Sequence, residues 1–397
     1  MIRSGETIRG RTIDHLVLTG HLEQAVTIER CKIGHLQLDG VEMDSDLHVR
    51  GSEVGRMRAS RVNHIRGDLN LAGTRVGTLI WRNVRVDGGS KMSRLRLSRH
   101  TKFEKCHFGS LKAFGVIADD WVEFHGCHFD ENLDLRSATV GEGMVFQSCH
   151  FGADCNLRGT TIEKKLDLTD SKLLGCLDLS KAKLRDYVYL QDISSGEESS
   201  FKWVNAIADF IHIEPQQLEG RLCNENDGCH HDAILEYGLL KRCYSTLHRY
   251  EHEDWAFYRF KVNARKTRPL SWRRPLSGLM RGMNYLFLDL GCGYGVQPWR
   301  ALVFGAISIL FFAMLYAVGI GHFASVHPPI ADLPVDSVAN RSLYGLLVSV
   351  SVFTAGFTGD HLISASGWVL VPLAIEAILG TVVWGLFIVA FSRKVIR

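Results

Sequence analysis

Leu166-Asp167-Leu168-Thr169-Asp170-Ser171-Lys172-Leu173, followed by Leu177-Asp178-Leu179 and Leu184, is the stretch on which the fold turns. Two apolar residues flank one polar residue, and a third apolar residue comes five positions later. Alternation of that kind is strand-like. The unit repeats. Leu135, Phe146, Leu157, Leu168, Leu179 and Leu190 stand 11 residues apart, as do Val140, Phe151, Ile162, Leu173 and Leu184. Leu133, Met144, Cys155, Leu166, Leu177 and Val188 hold a third phase. Earlier copies are Leu36/Leu38/Met43, Leu47/Val49/Val54 and Leu69/Leu71/Val76. A short fixed period means a solenoid whose coils bury one another.

The coil length comes from a second signal. Cys106-His107-Phe108, Cys127-His128-Phe129 and Cys149-His150-Phe151 recur after 21 and 22 residues, so two 11-residue units make one coil. From residue 36 to 190 this gives roughly seven coils and, at about 4.8 Å between stacked strands, a rod about 30–35 Å long. The alternation puts Cys and Phe inside and His outside. That reads as a packing ladder with exposed histidines; the competing reading is a metal-binding or pH-responsive histidine row. Asn156-Leu157, Asp167-Leu168 and Asp178-Leu179 resemble pentapeptide-repeat proteins, whose fold is a right-handed parallel β-helix. Eleven is not a multiple of five. The expectation is a related β-solenoid over 1–193 with about 22 residues per coil, its handedness open.

The last quarter of the chain is a different solvent problem. Ala301 to Phe323 and Trp368 to Phe391 are unbroken apolar runs. Each exceeds the roughly 20 residues needed to cross a hydrocarbon core. Arg268, Arg273, Arg274, Arg281 and Arg300 precede the first run, and Arg393, Lys394 and Arg397 follow the second. The connection carries only Arg341 against Asp332, Asp336 and Asp360. The positive-inside rule then puts both termini in the cytoplasm and the connection on the far side of the cell's inner (plasma) membrane. Between the runs lies a third apolar segment, Leu343 to Phe353, and then Thr354-Ala355-Gly356-Phe357-Thr358-Gly359-Asp360. A two-span anchor has no use for that insertion. Irregular backbone at membrane depth is tolerated where it lines a water-filled cavity, and its carbonyls can replace an ion's water shell.

These residues resemble the pore domain of two-transmembrane, potassium-channel-like proteins, whose filters read T-x-G-Y/F-G-D. Thr354, Gly356, Phe357 and Asp360 match in type. The resemblance covers residues 299–397 and implies spans 301–323 and 368–391, a pore helix 342–353, a filter 354–360 and a tetramer with permeant K⁺ or Na⁺. The family has one Gly between the aromatic residue and the Asp; this chain has Thr358 and Gly359. Either Thr358 occupies the last filter glycine position, where a β-branched residue costs about 1–2 kcal/mol, or it is an insertion. Both readings leave K⁺ selectivity and weak cation selectivity open. Glu376, the acid within a span, is assigned to bracing the filter. Gly380 and Gly385 are a gating hinge or close-packing points.

Between solenoid and pore, 194–231 is read as a linker and 232–298 as a helical connector. Cys223, Cys229, His230 and His231 have no standard zinc spacing, and no metal is assigned. Asp232 is placed as an N-cap, followed by an αα-hairpin of two helices divided near Glu251-His252-Glu253-Asp254. Tyr237–Arg259, with Gly293 to Arg300, resembles the connector of bacterial proteins that join pentapeptide repeats to a two-span pore. Arg273 to Leu290 reads as an interfacial helix, after which Gly291, Gly293 and Gly295 turn the chain into the first span. No apolar run opens at Met1, so no signal peptide is expected. The ten cysteines are read as free thiols. A net charge of +3 gives no reason to expect nucleic acid. There is no Gly-rich phosphate loop, nucleophile elbow or HExxH, so no enzyme and no bound cofactor are expected. The reading is an oligomeric cation channel in the lipid bilayer, gated from a cytoplasmic solenoid that is free to bind a protein or ligand. The competing reading is a membrane-tethered scaffold with a non-selective or vestigial pore.

Overall fold

The computed structural model describes residues 5–267, 275–325, 337–355 and 363–396. They form two compact units, 1–263 and 264–397.

The first unit is a parallel β-solenoid of about nine turns, from Thr7–Arg9 to Ile207–His212. Every strand pairing in it is parallel and joins successive coils. At about 4.8 Å per coil the rod is about 40 Å long. Each coil has four short sides. Val122–His125, His128–Phe129, Leu133–Asp134 and Thr139–Val140 make one coil, and Met144–Gln147 begins the next in register with the first. The buried pairs are Val122/Phe124, Cys127/Phe129, Leu133/Leu135, Ala138/Val140 and Met144/Phe146. Successive pairs start 5, 6, 5 and 6 residues apart.

That alternation explains the 11-residue period. Each short corner is closed by one left-handed residue: Gly126, Ser137, Ser148, Gly159, Asp170, Lys181 and Asp192, with φ between 52° and 69°. The coil also grows along the rod. Thr7 pairs with Thr27, 20 residues on; Lys32 pairs with Glu53, 21 on; Val122 pairs with Met144, 22 on. The first coil therefore has four five-residue sides, and later coils add a residue at two corners.

The structure corrects the expected boundaries. The solenoid begins with Thr7–Arg9, inside the expected 1–193, but it does not end at 193. Ser194–Ser195, Ser200–Lys202 and Ile207–His212 are further strands, so most of the supposed linker 194–231 is coil. Their sequences lack the Leu-x-Leu signature, and register with the preceding coil replaces it as the determinant. The end of that expected linker, 222–231, is largely helical. It contains α2 (Cys223–Asn226) after α1 (Pro215–Leu218). The αα-hairpin is α3 (His230–Thr246) and α4 (Tyr250–Lys266). Cys229, not Asp232, is the N-cap; Asp232 lies in the first turn, where its charge still suits the helix dipole.

The core is a set of ladders. Phe103, Phe124 and Phe146 stack at 4.7 and 4.9 Å between centroids; Phe108, Phe129 and Phe151 stack at 5.8 and 5.4 Å. Cys106, Cys127 and Cys149 are buried, and His107, His128 and His150 stack outside them, His128 exposed and the other two half-buried. The cysteine column has a physical reason. Each thiol donates to a carbonyl of the preceding coil: Cys106 to Trp81 (3.7 Å), Cys127 to Phe103 (3.5 Å), Cys149 to Phe124 (3.4 Å). One coil further, the Ser171 hydroxyl makes the same bond to Phe146 at 2.8 Å. A small donor is what this corner needs, and sulfur and oxygen serve alike. Among the described residues no three His, Cys, Asp or Glu side chains converge as a metal site.

The second unit holds α5 (Pro275–Met283), a π-helix (Asn284–Leu290), α6 (Pro298–Val318), α7 (Val338–Ala355) and α8 (Leu370–Val395). The interfacial stretch is thus two helical types, and its residues 273–274 lie outside the described residues. The first apolar run stops being α-helical at Val318, because Gly319 ends it and Phe323–Ser325 pairs with Ile363–Ala365 as an antiparallel ribbon. The expected pore helix 342–353 is longer at both ends.

Phe124 sits between two stacked rings. Phe124→Ala is expected to lower the unfolding free energy of the β-sheet transition by about 3–5 kcal/mol, measured by circular dichroism in urea on the detergent-solubilised protein.

Candidate functional site

Three helices in the second unit are positioned by close approaches at small residues. A Cβ on Gly345 would lie 2.3 Å from the Ala313 carbonyl oxygen, so α7 and α6 touch backbone to backbone there. One turn on, Ser349 Oγ donates to the Ile309 carbonyl at 2.9 Å, and a further turn on, Phe353 lies against Gly305. Helix α7 therefore runs antiparallel to α6. Against α8 it runs parallel: Ser349 meets Glu376, and a Cβ on Gly380 would lie 2.3 Å from the Phe353 carbonyl oxygen. Gly380 is thus a close-packing point. Gly385 has nothing within 4 Å of a built Cβ, and α8 runs unbroken through both.

The polar centre of this unit is Glu376, fully buried. Tyr316 Oη donates to its Oε2 at 2.6 Å, and Ser349 Oγ is hydrogen-bonded to its Oε1. One carboxyl thus joins α6, α7 and α8. Tyr316, Phe312, Val348, Val352, Leu373 and Ala377 pack around it. The sequence singled out Glu376 but missed its partners. Their signal was present: Ser349 is a polar residue inside an apolar run, and Tyr316 is a hydroxyl inside the first span.

Depth follows from the same contacts. Helix α7 reaches Phe353 at the level of Gly380, and α8 continues 15 residues beyond, to Val395. At 1.5 Å per residue that is about 22 Å, so α7 ends part-way along α8. The described chain resumes at Ile363, beside Phe323–Ser325 at the opposite end of α6. Of the proposed filter, Thr354 and Ala355 are the last two residues of α7, with Thr354 Oγ1 donating to the Val350 carbonyl at 2.7 Å. Gly356, Phe357, Thr358, Gly359 and Asp360 lie outside the described residues.

Both α6 and the segment Gly367–Val395 are long and apolar enough to cross a membrane. Only 33% of each is buried within the chain, which fits a lipid-facing or subunit-facing helix better than the core helix of a soluble protein. Leu302, Ile307, Leu310 and Met314 on α6 and Ile375, Ile378, Ile388 and Val389 on α8 are exposed. At the entry to α6, Arg265 Nη1 binds Asp289 Oδ2 at 2.5 Å, and Arg300 Nη1 donates to the Asp289 carbonyl at 3.3 Å. This pair of contacts, all within the second unit, links Arg265, the π-helix and the first turn of α6. Gly293, Tyr294 and Gly295 all have positive φ between, giving the turn expected of the glycine-rich stretch.

A second polar cluster closes the solenoid. Glu236 on α3 is fully buried and accepts from the Trp203 N–H and the Asn224 amide, both at 2.9 Å. Burial pushes its carboxyl up from 4.5 to about 7, against those two hydrogen bonds. Nearby, Glu225 accepts from Tyr237 Oη, Arg259 Nη2 at 2.8 Å and Asn263 Nδ2 at 2.9 Å. Burial alone would raise Glu225, but these donors hold it below the usual carboxylate range. Of the suspected Cys/His group, Cys223 faces Cys176, Cys229 is exposed, and His230 Nδ1 pairs with Asn263 Oδ1 at 2.9 Å. They do not converge.

Residues 124–172 match a family model described as pentapeptide repeats (9 copies). The repeat domain is similar to that family. The matched window lies within the stretch in which 5- and 6-residue sides alternate. No curated protein matches the chain, and no solved structure does.

Three outcomes are expected. Glu376→Ala leaves the Tyr316 hydroxyl without its partner and Ser349 with the Ile309 carbonyl alone, and should cost about 1–3 kcal/mol of stability in detergent; Glu376→Gln, which still accepts and donates, should cost less. Gly380→Ala should lower the thermal midpoint measured in detergent while Gly385→Ala leaves it unchanged. The Glu236 carboxyl binds its proton more tightly folded than unfolded, so its contribution is greatest below about pH 4.5 and is lost as pH rises through 7. Glu236→Gln should therefore remove a loss of up to about 3 kcal/mol between about pH 5 and about pH 8, read from urea midpoints.

Proposed function

We propose that the chain is one subunit of a cation channel, with four copies placing their α7 C-termini and residues 354–360 around a common axis. The observation that carries this reading is the short helix held between two longer ones. Helix α7 enters beside α6, is fixed at mid-length by Ser349 and Glu376, and ends part-way along α8. A plain two-span anchor has no need of a third apolar helix bolted at that depth. The helix presents its C-terminal carbonyl end there, and that end favours a cation by its partial negative charge. The exposed apolar faces of α6 and α8 supply surface for lipid and for neighbouring copies. Glu376 then acts as a brace that holds the helix preceding the filter, and it stays off the ion path.

The solenoid is the regulatory part in this reading. Helix α3 belongs to the solenoid's fold, so motion of the rod reaches α4 directly. The Arg265–Asp289–Arg300 contacts then offer a route from the end of α4 to the first turn of α6.

The test is ion flux into liposomes under a K⁺ gradient. Full-length protein should conduct, and Gly356→Ala should abolish or strongly reduce the flux. A truncation has to remove residues 1–263, because an earlier cut would strip α3 of the coil it covers. It should change the open probability and keep the conductance. Normal flux from Gly356→Ala would exclude carbonyl coordination at this segment; silence from both the full chain and the truncation would favour the tethered scaffold.

A further inference from the structure

Cys176 and Cys223 stand apart from the other thiols. Their sulfur atoms are 3.5 Å apart, and both residues are half-exposed. The ladder cysteines Cys106, Cys127, Cys149 and Cys155 are buried and point into the core. Cys176 opens the strand Cys176–Asp178, which pairs with Ser200–Lys202 in the next coil. Cys223 begins α2, and its neighbour Leu222 bridges to Phe201 of that same strand. The two thiols thus reach each other across the edge of the last coil.

From this geometry we infer that Cys176 and Cys223 are a reversible dithiol–disulfide switch that clamps α2 to the solenoid. The chemistry of the pair is asymmetric. The Cys176 thiol hydrogen-bonds to Cys223 and lowers its affinity for a proton, with further help from Ser200 and the Lys202 ammonium outweighing burial. Cys176 is pushed up by the same contact and by burial. Cys223 is accordingly the nucleophile and Cys176 the resolving thiol. The oxidant class is a hydroperoxide. The Cys223 thiolate attacks one peroxide oxygen; an S–O bond forms, the O–O bond breaks, and the released hydroxide takes a proton to become water. Sulfur is oxidised by two electrons and the peroxide is reduced. Cys176 then attacks the sulfenic sulfur; the S–S bond forms, the S–O bond breaks, and the thiol proton leaves with hydroxide as a second water. A dithiol reductant reverses the reaction by exchange.

The bridge acts on the helical cap. Glu225, two residues after Cys223, holds Tyr237, Arg259 and Asn263, and so holds α3 to α4. Tying Cys223 to Cys176 fixes that junction to the rod by a covalent bond spanning 47 residues of sequence. The inference is independent of what the membrane unit conducts.

The test uses full-length protein in detergent, treated with hydrogen peroxide and digested without reduction. The expected result is a Cys176–Cys223 peptide pair lighter by two hydrogens, lost on adding dithiothreitol. In Cys176→Ser the pair is absent and a dimedone adduct appears on Cys223; in Cys223→Ser neither appears. Wild-type alkylation by iodoacetamide at neutral pH, which needs no variant to fold, should be about tenfold faster at Cys223 than at exposed Cys229. Equal alkylation of the two, or a Cys223–Cys229 pair in place of Cys176–Cys223, would overturn the assignment.

Discussion

Each coil of a parallel solenoid offers the next a row of unpaired N–H and C=O groups, and the last coil has no successor. Closing that end is the constraint on which the rest of the chain depends. Helix α3 meets it with specific bonds. Tyr244 Oη donates to the Ile213 carbonyl at 2.9 Å, Arg242 reaches the Ala208 carbonyl at 3.2 Å, and Glu236 accepts the Trp203 N–H. A helix recruited for this task cannot serve as a loose linker. Its partner α4 is fastened to it through Glu225 and Arg259, so the αα-hairpin is the solenoid's terminal cap.

The second unit, whose two long helices are apolar enough to cross a membrane, solves a related problem with different means. Helices in lipid gain nothing from burying apolar faces against each other, so small residues and polar bonds hold them. Gly345 and Gly380 allow backbones to approach, and Glu376 collects hydroxyls from the two other helices. Those two devices set the depth at which α7 stops. The position of α7 is therefore a consequence of four residues, Gly345, Ser349, Glu376 and Gly380.

Much of this was legible in the sequence. The period of 11 gave the solenoid and its coil length, because parallel stacking forces each buried position to recur. The apolar runs gave the two long helices, and Glu376 was conspicuous as an acid among apolar neighbours. The first two coils and the last were not legible, for a physical reason. The first two coils follow 20- and 21-residue registers that break the period of 11, and the last follows a 24-residue register with Phe201, Trp203, Ile211 and Ile213 in the buried positions, so strand pairing is what places them. The Cys176–Cys223 approach was invisible because the two residues are far apart in sequence and meet only through coil register. Cys223 had been grouped with its sequence neighbours Cys229 and His230, which point elsewhere. The alternation of 5- and 6-residue sides was hidden inside the 11-residue sum, and the left-handed corners that mark it use Gly, Ser, Asp and Lys alike.

The two long apolar helices of one copy leave broad apolar faces uncovered, and the proposed pore requires several copies around an axis. The mass of the intact particle in lipid nanodiscs is the most direct measurement. Four copies per particle are expected. A particle that holds a single copy at all protein concentrations would leave no axis for ions to follow, and the chain would then be a membrane-anchored solenoid.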